Sequence, residues 1–151
     1  MEYLPAALHD TMAMPVGTAF TRLAMAGAFG AVIGLDREAR DHAAGLRTHI
    51  LVSLAACLFT LIALELFERF SMDGGRTDPI RVIEAVTAGV AFLAAGSIIH
   101  ARGNVRGLTT GAGMWLAGAV GLSVGAGLYL VAIAATVMAV IVLVIIKRLE
   151  P

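Results

Sequence analysis

Charge is scarce in this sequence, and what there is cancels. Only 15% of the 151 residues are Asp, Glu, Lys or Arg, against about 25% in an ordinary soluble domain. The formal net charge is zero, so bulk charge gives no pull toward nucleic acid, and no nucleic-acid partner is expected. Cys57 is the one cysteine. It cannot close a disulfide within the chain and says little about redox compartment. It sits in an apolar run and reads as a small buried residue. The segment before Val16 holds Glu2 and Asp10 but no Lys or Arg. A secretory signal peptide needs a basic start, so the first apolar run reads as a retained helix.

The motifs of chemistry are missing as well. There is no Walker motif, and no GxGxxG in the context that binds a dinucleotide. No cluster of His, Cys and carboxylates has metal-ligand spacing. Ser97 with His100, and His49 with Ser53, are close in sequence. Neither pair has a third orienting group or a readable oxyanion site. They read as helix-packing hydroxyls and interfacial histidines. No enzyme, metal or cofactor is expected.

What the chain has is apolar length, with 59% hydrophobic residues. A hydrocarbon core about 30 Å thick takes about 20 apolar residues per helix. Candidate spans fall at 16–35, 48–67 and 80–99. Gly107 to Ile146 is one further apolar run. As a single helix it would be roughly 60 Å long, about twice the core thickness, so it should fold back. Gly125–Ala126–Gly127 is the expected break, because paired glycines favour a turn. That gives spans at 108–125 and 128–146. The expected architecture is all-α: a polytopic membrane bundle of five transmembrane helices, with residues 1–151 forming one transmembrane domain.

Lys and Arg set the expected orientation. Arg37, Arg40, Arg47, Arg102, Arg106, Lys147 and Arg148 fall on one side. Arg69, Arg76 and Arg81 fall on the other, diluted by Glu68, Asp73 and Asp78. The N-terminus is therefore expected outside and the C-terminus in the cytoplasm, with a bacterial plasma membrane the simplest host.

The chain also resembles itself at the offset that carries Gly27 to Gly89. Gly34 then meets Gly96, Arg40 meets Arg102, Gly45–Leu46 meets Gly107–Leu108, and Thr48 meets Thr110. The repeat matches 22–59 with 84–121 without a gap. Both copies run in the same direction, so two helical hairpins related by an axis along the membrane normal are expected, with the fifth helix added at the side. Glycines at Gly27, Gly30 and Gly34, at Gly89 and Gly96, and at Gly107 and Gly111 read as helix-packing faces. A narrow conduit along them is the other reading.

Two charged layers follow. The inner one comprises Asp36, Arg37, Glu38, Arg40, Arg47, Thr48, Arg102, Asn104, Arg106, Thr109 and Thr110. It is either an anchor on anionic lipid headgroups or a contact surface for a protein partner or an anion, helped by the helix starts at Gly45 and Gly107. The outer layer comprises Arg22, Glu65, Asp78, Arg81 and Glu84. Ionisable residues within a span are functional candidates; near helix ends they also snorkel. Arg22 and Glu84 hold equivalent repeat positions and are expected to pair. Mid-span positions are mostly Gly, Ala, Val and Leu, which weakens a pump or ion carrier.

The motifs Gly34–Leu35–Asp36–Arg37–Glu38 and Gly45–Leu46–Arg47–Thr48–His49 resemble the MgtC/SapB family. So do Asp78–Pro79–Ile80–Arg81, Gly89 to Gly96, Asn104–Val105–Arg106–Gly107–Leu108–Thr109–Thr110, Trp115 and Gly127–Leu128–Tyr129. The chain departs from the family at Ala91 and Ala94, where glycine is usual, and at Glu84–Ala85. Many members carry a soluble cytoplasmic domain after the fifth helix, and a short form without it is expected here. The resemblance implies a bacterial inner-membrane protein linked to growth in low magnesium and to survival of pathogens inside macrophages. It implies regulation of another membrane protein, such as the ATP synthase, and a homo-oligomer, with a dimer favoured. A small transporter or channel for Mg2+ or another ion is the alternative, and a lipid-headgroup binder a weaker third.

Overall fold

The computed structural model describes residues 13–39, 42–71, 78, 80–101 and 104–146. The elements are α1 (Val16–Glu38), α2 (Leu46–Ser71), α3 (Ile80–Gly96), β1 (Ile99–Ala101), β2 (Asn104–Arg106), α4 (Leu108–Gly125) and α5 (Tyr129–Val140). A π-helical stretch, Ile141–Ile146, continues α5. Helix dominates because an apolar chain in lipid must satisfy its backbone groups internally. α1, α2 and α4 are long and apolar enough to cross a membrane. α3 has 17 residues, about 25 Å at helical rise, and the apolar helix Tyr129–Ile145 is similarly short.

The boundaries differ from expectation where polar groups intervene. α1 runs through Asp36, Arg37 and Glu38 instead of ending at Leu35. α3 stops at Gly96 instead of 99, where Ser97 N–H and Ile98 N–H close tight turns on the carbonyls of Ala94 (3.0 Å) and Ala95 (3.1 Å). The chain then reverses through an antiparallel ribbon, Ile99 opposite Arg106 and Ala101 opposite Asn104.

Two glycines are fixed by backbone conformation. Gly107 precedes α4 with φ +89°, and a Cβ there would collide with the Ser97 carbonyl. Gly127 has φ +81°. Its N–H bonds the Val124 carbonyl at 3.0 Å, and Leu128 N–H bonds that of Ser123 at 2.8 Å. Those paired bonds around a left-handed residue are a Schellman motif. It stops α4 at the break expected from sequence.

α4 is the centre of the bundle and touches α1, α2, α3 and α5. Its glycines set how closely. A Cβ on Gly121 would overlap the Ser53 carbonyl of α2, and one on Gly125 would stand 2.9 Å from the Cys57 carbonyl. Gly118 faces Val90 and Gly111 faces Ala94 on α3. On α1, Gly30 and Gly34 lie against the backbone of His49 and Leu46, and Gly27 makes ordinary contact with Leu54. Such approach lets helices gain van der Waals contact where lipid supplies no hydrophobic drive. Gly89 and Gly96 are a correction: both are exposed, and a Cβ on either would meet nothing within 4 Å. In the second half of the chain the close approach is made by the glycines of α4, because α3 turns its own outward.

Gly121→Ala should therefore destabilise the protein by about 1–3 kcal/mol, the range for overpacking. Gly89→Ala should be neutral or stabilise by up to about 1 kcal/mol, the helix-propensity difference. Thermal unfolding in detergent, read by circular dichroism, compares the two.

Candidate functional site

Three polar residues that a membrane chain would be expected to keep wet are enclosed where α1, α2 and α4 meet. Arg37 is 1% exposed, His49 0% and Thr110 3%. Arg37 continues the buried stripe of α1 through Ala26, Gly30 and Ile33. That spacing of four, three and four puts all of them on one helix face. His49 and Ser53 begin the corresponding stripe of α2, followed by Cys57 and Leu61.

His49 sits between two sets of glycines. Gly30 and Gly34 bring α1 against its backbone and Cβ. On α4, a Cβ on Gly113 would stand 3.1 Å from Nε2. Nδ1 lies 2.8 Å from the Gly45 carbonyl. A carbonyl only accepts, so Nδ1 carries the proton and Nε2 of the neutral ring is a lone pair. Nε2 is enclosed with no hydrogen-bond partner. Ser53 donates its hydroxyl to the Ala26 carbonyl of α1 at 2.8 Å. Ser97 donates to the Ala94 carbonyl at 2.7 Å. Both hydroxyl protons are directed at carbonyls, which is a packing arrangement. Among the described residues no three His, Cys, Asp or Glu side chains gather to hold a metal ion.

The remaining charges divide sharply. Glu38 is exposed and accepts from Leu46 N–H at 2.9 Å, so the last residue of α1 caps the start of α2. Arg47, Arg106 and Thr109 are exposed, and Thr48 is half-buried. Asp36 is half-buried, with Oδ2 enclosed. Arg40 and Arg102, and the Asn104 side chain, lie outside the described residues. The expected inner surface is thus split: Arg37 and Thr110 belong to the interior, while Glu38, Arg47, Arg106 and Thr109 face out.

At the opposite end, Arg22 donates Nε–H to the Tyr129 hydroxyl at 3.1 Å and Nη1–H to the Gly125 carbonyl at 2.8 Å. The guanidinium also lies 6.0 Å from the centre of the Tyr129 ring. The expected pairing with Glu84 is not made, and Glu84 is exposed on α3. The physical reason is the C-terminus of α4, where carbonyls without helical partners and the negative end of the helix dipole attract a cation. Glu65 serves α1 in the same way. Its carboxylate accepts from Ala13 N–H at 3.0 Å and pairs with Arg69 at 2.9 Å. Asp78 Oδ1 caps α3 through Ile80 N–H at 2.9 Å. Arg81 is exposed.

This fold and this distribution of charge define a helical membrane protein with a closed interior and capped ends. The MgtC family model matches residues 23–151, and the chain belongs to the MgtC family. It is 36% identical over 129 residues to the Escherichia coli K12 protein named "Putative magnesium transporter YhiD", covering 85% of this chain and 60% of that one. It is 40% identical over 126 residues to "Protein MgtC" of Brucella suis, covering 82% and 50%. It is 34% identical over 122 residues to an uncharacterized protein of Haemophilus influenzae, covering 79% and 51%. The chain therefore spans half to three-fifths of these relatives. No solved structure matches it.

Arg22→Ala should lower stability by about 1–3 kcal/mol, since it leaves a helix-end carbonyl and a phenol without their donor. Glu84→Ala should stay within about 0.5 kcal/mol, as exposed substitutions do. Equal effects in detergent melts would show that Arg22 is not the tie between α1 and the α4–α5 turn.

Proposed function

We propose that this protein is a non-enzymatic regulator in a bacterial inner membrane, acting by contact with another membrane protein. In this reading all five helices cross the bilayer, as two same-orientation hairpins and a fifth helix. The N-terminus is outside, the C-terminus is cytoplasmic, and the chain works as a homodimer. Its setting is adaptation to low magnesium and, in a pathogen, survival inside macrophages. The ATP synthase is the first partner to test. The exposed residues Glu38, Arg47, Arg106 and Thr109 form the contact surface, with anionic headgroups around them.

The observation that carries this reading is the sealed middle of the bundle. Between His49 and Arg22 the interior is Ala26, Ala56, Cys57, Ala117, Val120 and Val124, none more than 1% exposed. α4 lies there on the backbone of α2 through Gly121 and Gly125. An ion path needs polar groups at mid-depth to replace hydration. The polar side chains of this interior, Ser53, Thr60 and Thr136, each donate to a backbone carbonyl.

A transporter is the second reading. The name of the Escherichia coli relative points to it, and enclosed ionisable residues such as Arg37 and His49 often mark conduction paths in membranes.

Purified protein in sealed liposomes, assayed for magnesium and proton flux beside His49→Ala, separates the readings. The regulator gives no flux above empty liposomes from folded, inserted protein. In bacterial cells producing the protein, Arg47→Glu with Arg106→Glu should release a co-purifying membrane protein without loss of folding. Flux that falls in His49→Ala would overturn the regulatory reading.

A further inference from the structure

α3 is joined to the bundle along one line. Val86, Val90 and Ala94 form its buried side, and Val90 and Ala94 meet Gly118 and Gly111 of α4. Its contact with α2 is slight. Between α2 and α3 runs an apolar groove of about 560 Å³, bounded by Val52 to Leu66 on α2 and by Arg81 to Leu93 on α3. Those fourteen steps along α2 make it roughly 21 Å long at helical rise. Its walls include the exposed side chains of Phe59, Ile62, Leu66 and Leu93, so it opens onto the hydrocarbon around the helices and takes an acyl chain lengthwise.

The groove's lining is Ala, Val, Leu, Ile, Phe and Gly, with one charged residue, Arg81, at its end. Arg81 is exposed in the first turn of α3. Neither neighbouring carboxylate lines the groove. Asp78 is engaged by Ile80 N–H, and Glu84 is not among the residues lining the groove. An apolar slot longer than one leaflet's half of a hydrocarbon core about 30 Å thick, ending at a guanidinium, has the charge and shape of one ligand class. We infer that the α2–α3 groove holds a resident glycerophospholipid, one acyl chain lying along Gly89 and Ala85 and its phosphate bonded to Arg81. Arginine suits the phosphate because its planar fork makes paired, charge-assisted hydrogen bonds. Gly89 is a glycine on this account because a side chain there would occupy the chain's place. Arg22 takes no part in the site, which does not depend on the regulatory reading.

Native mass spectrometry of the full chain released from mild detergent tests this, with bacterial phospholipid present throughout purification. One phospholipid per chain should survive gentle activation. Arg81→Gln should reduce its occupancy about tenfold, the effect of losing one hydrogen bond to a charged group, and Arg81→Lys should restore part of it. Gly89→Leu should also empty the groove while leaving the melting temperature equal or higher, since a Cβ there meets nothing within 4 Å. Wild-type retention in Gly89→Leu or Arg81→Gln overturns the site. So does equal retention of diacylglycerol, which lacks the phosphate, or a stable dimer in which a second copy covers Gly89.

Discussion

The contact on which the structure depends is the one between α4 and the backbone of α2. Gly121 rests on the Ser53 carbonyl and Gly125 on that of Cys57, closer than any side chain would permit. In lipid, where burying an apolar side chain against another helix gains little over burying it in acyl chains, such contact is what holds helices together. From it follows the burial of Cys57 and Val124. The position of α3 follows too, since α4 presents a second set of glycines to it.

Most of the described charge that is not simply exposed works at helix ends. Glu38 caps α2, Glu65 the entry to α1, Asp78 the start of α3, and Arg22 the end of α4. Each carboxylate lies at an N-terminus and the arginine at a C-terminus, the arrangement the helix dipole favours. At this level the charged layers are the price of short helices ending in a membrane. Arg37 and His49 are different, because they are enclosed at a three-helix junction where α1 crosses α2. Among the described residues they are the charged or imidazole side chains that the bundle buries fully.

The helices and the turn at Gly125–Ala126–Gly127 were legible because apolar run length and paired glycines act locally. The ribbon after α3 was not. Its strands are three residues each, and their pairing depends on how Gly107 approaches Ser97. The burial of Arg37 was legible in principle: the stripe Ala26, Gly30, Ile33, Arg37 keeps helical spacing, but a charge beside a loop reads first as solvated. The Arg22–Glu84 pairing failed for a related reason. Repeat equivalence says nothing of what a neighbouring helix end offers, and the Gly125 carbonyl was the nearer acceptor. Gly89 and Gly96 resembled packing glycines because sequence shows a stripe without showing which way it faces. Membership of the MgtC family was legible in the motifs around Gly34 and Gly45, and the match over residues 23–151 agrees.

The middle of the bundle is closed, and the chain carries its own reporter of water there. Cys57 is buried at 0% exposure beside Gly125. Maleimides react with thiolate, which a thiol enclosed away from water does not form readily. The direct measurement is the labelling rate of native Cys57 by a membrane-permeant maleimide in liposomes. With a closed middle, no labelling is expected until the protein is denatured. Labelling of the folded protein at the rate of a free thiol would mean that water reaches the α2–α4 contact, and would contradict it.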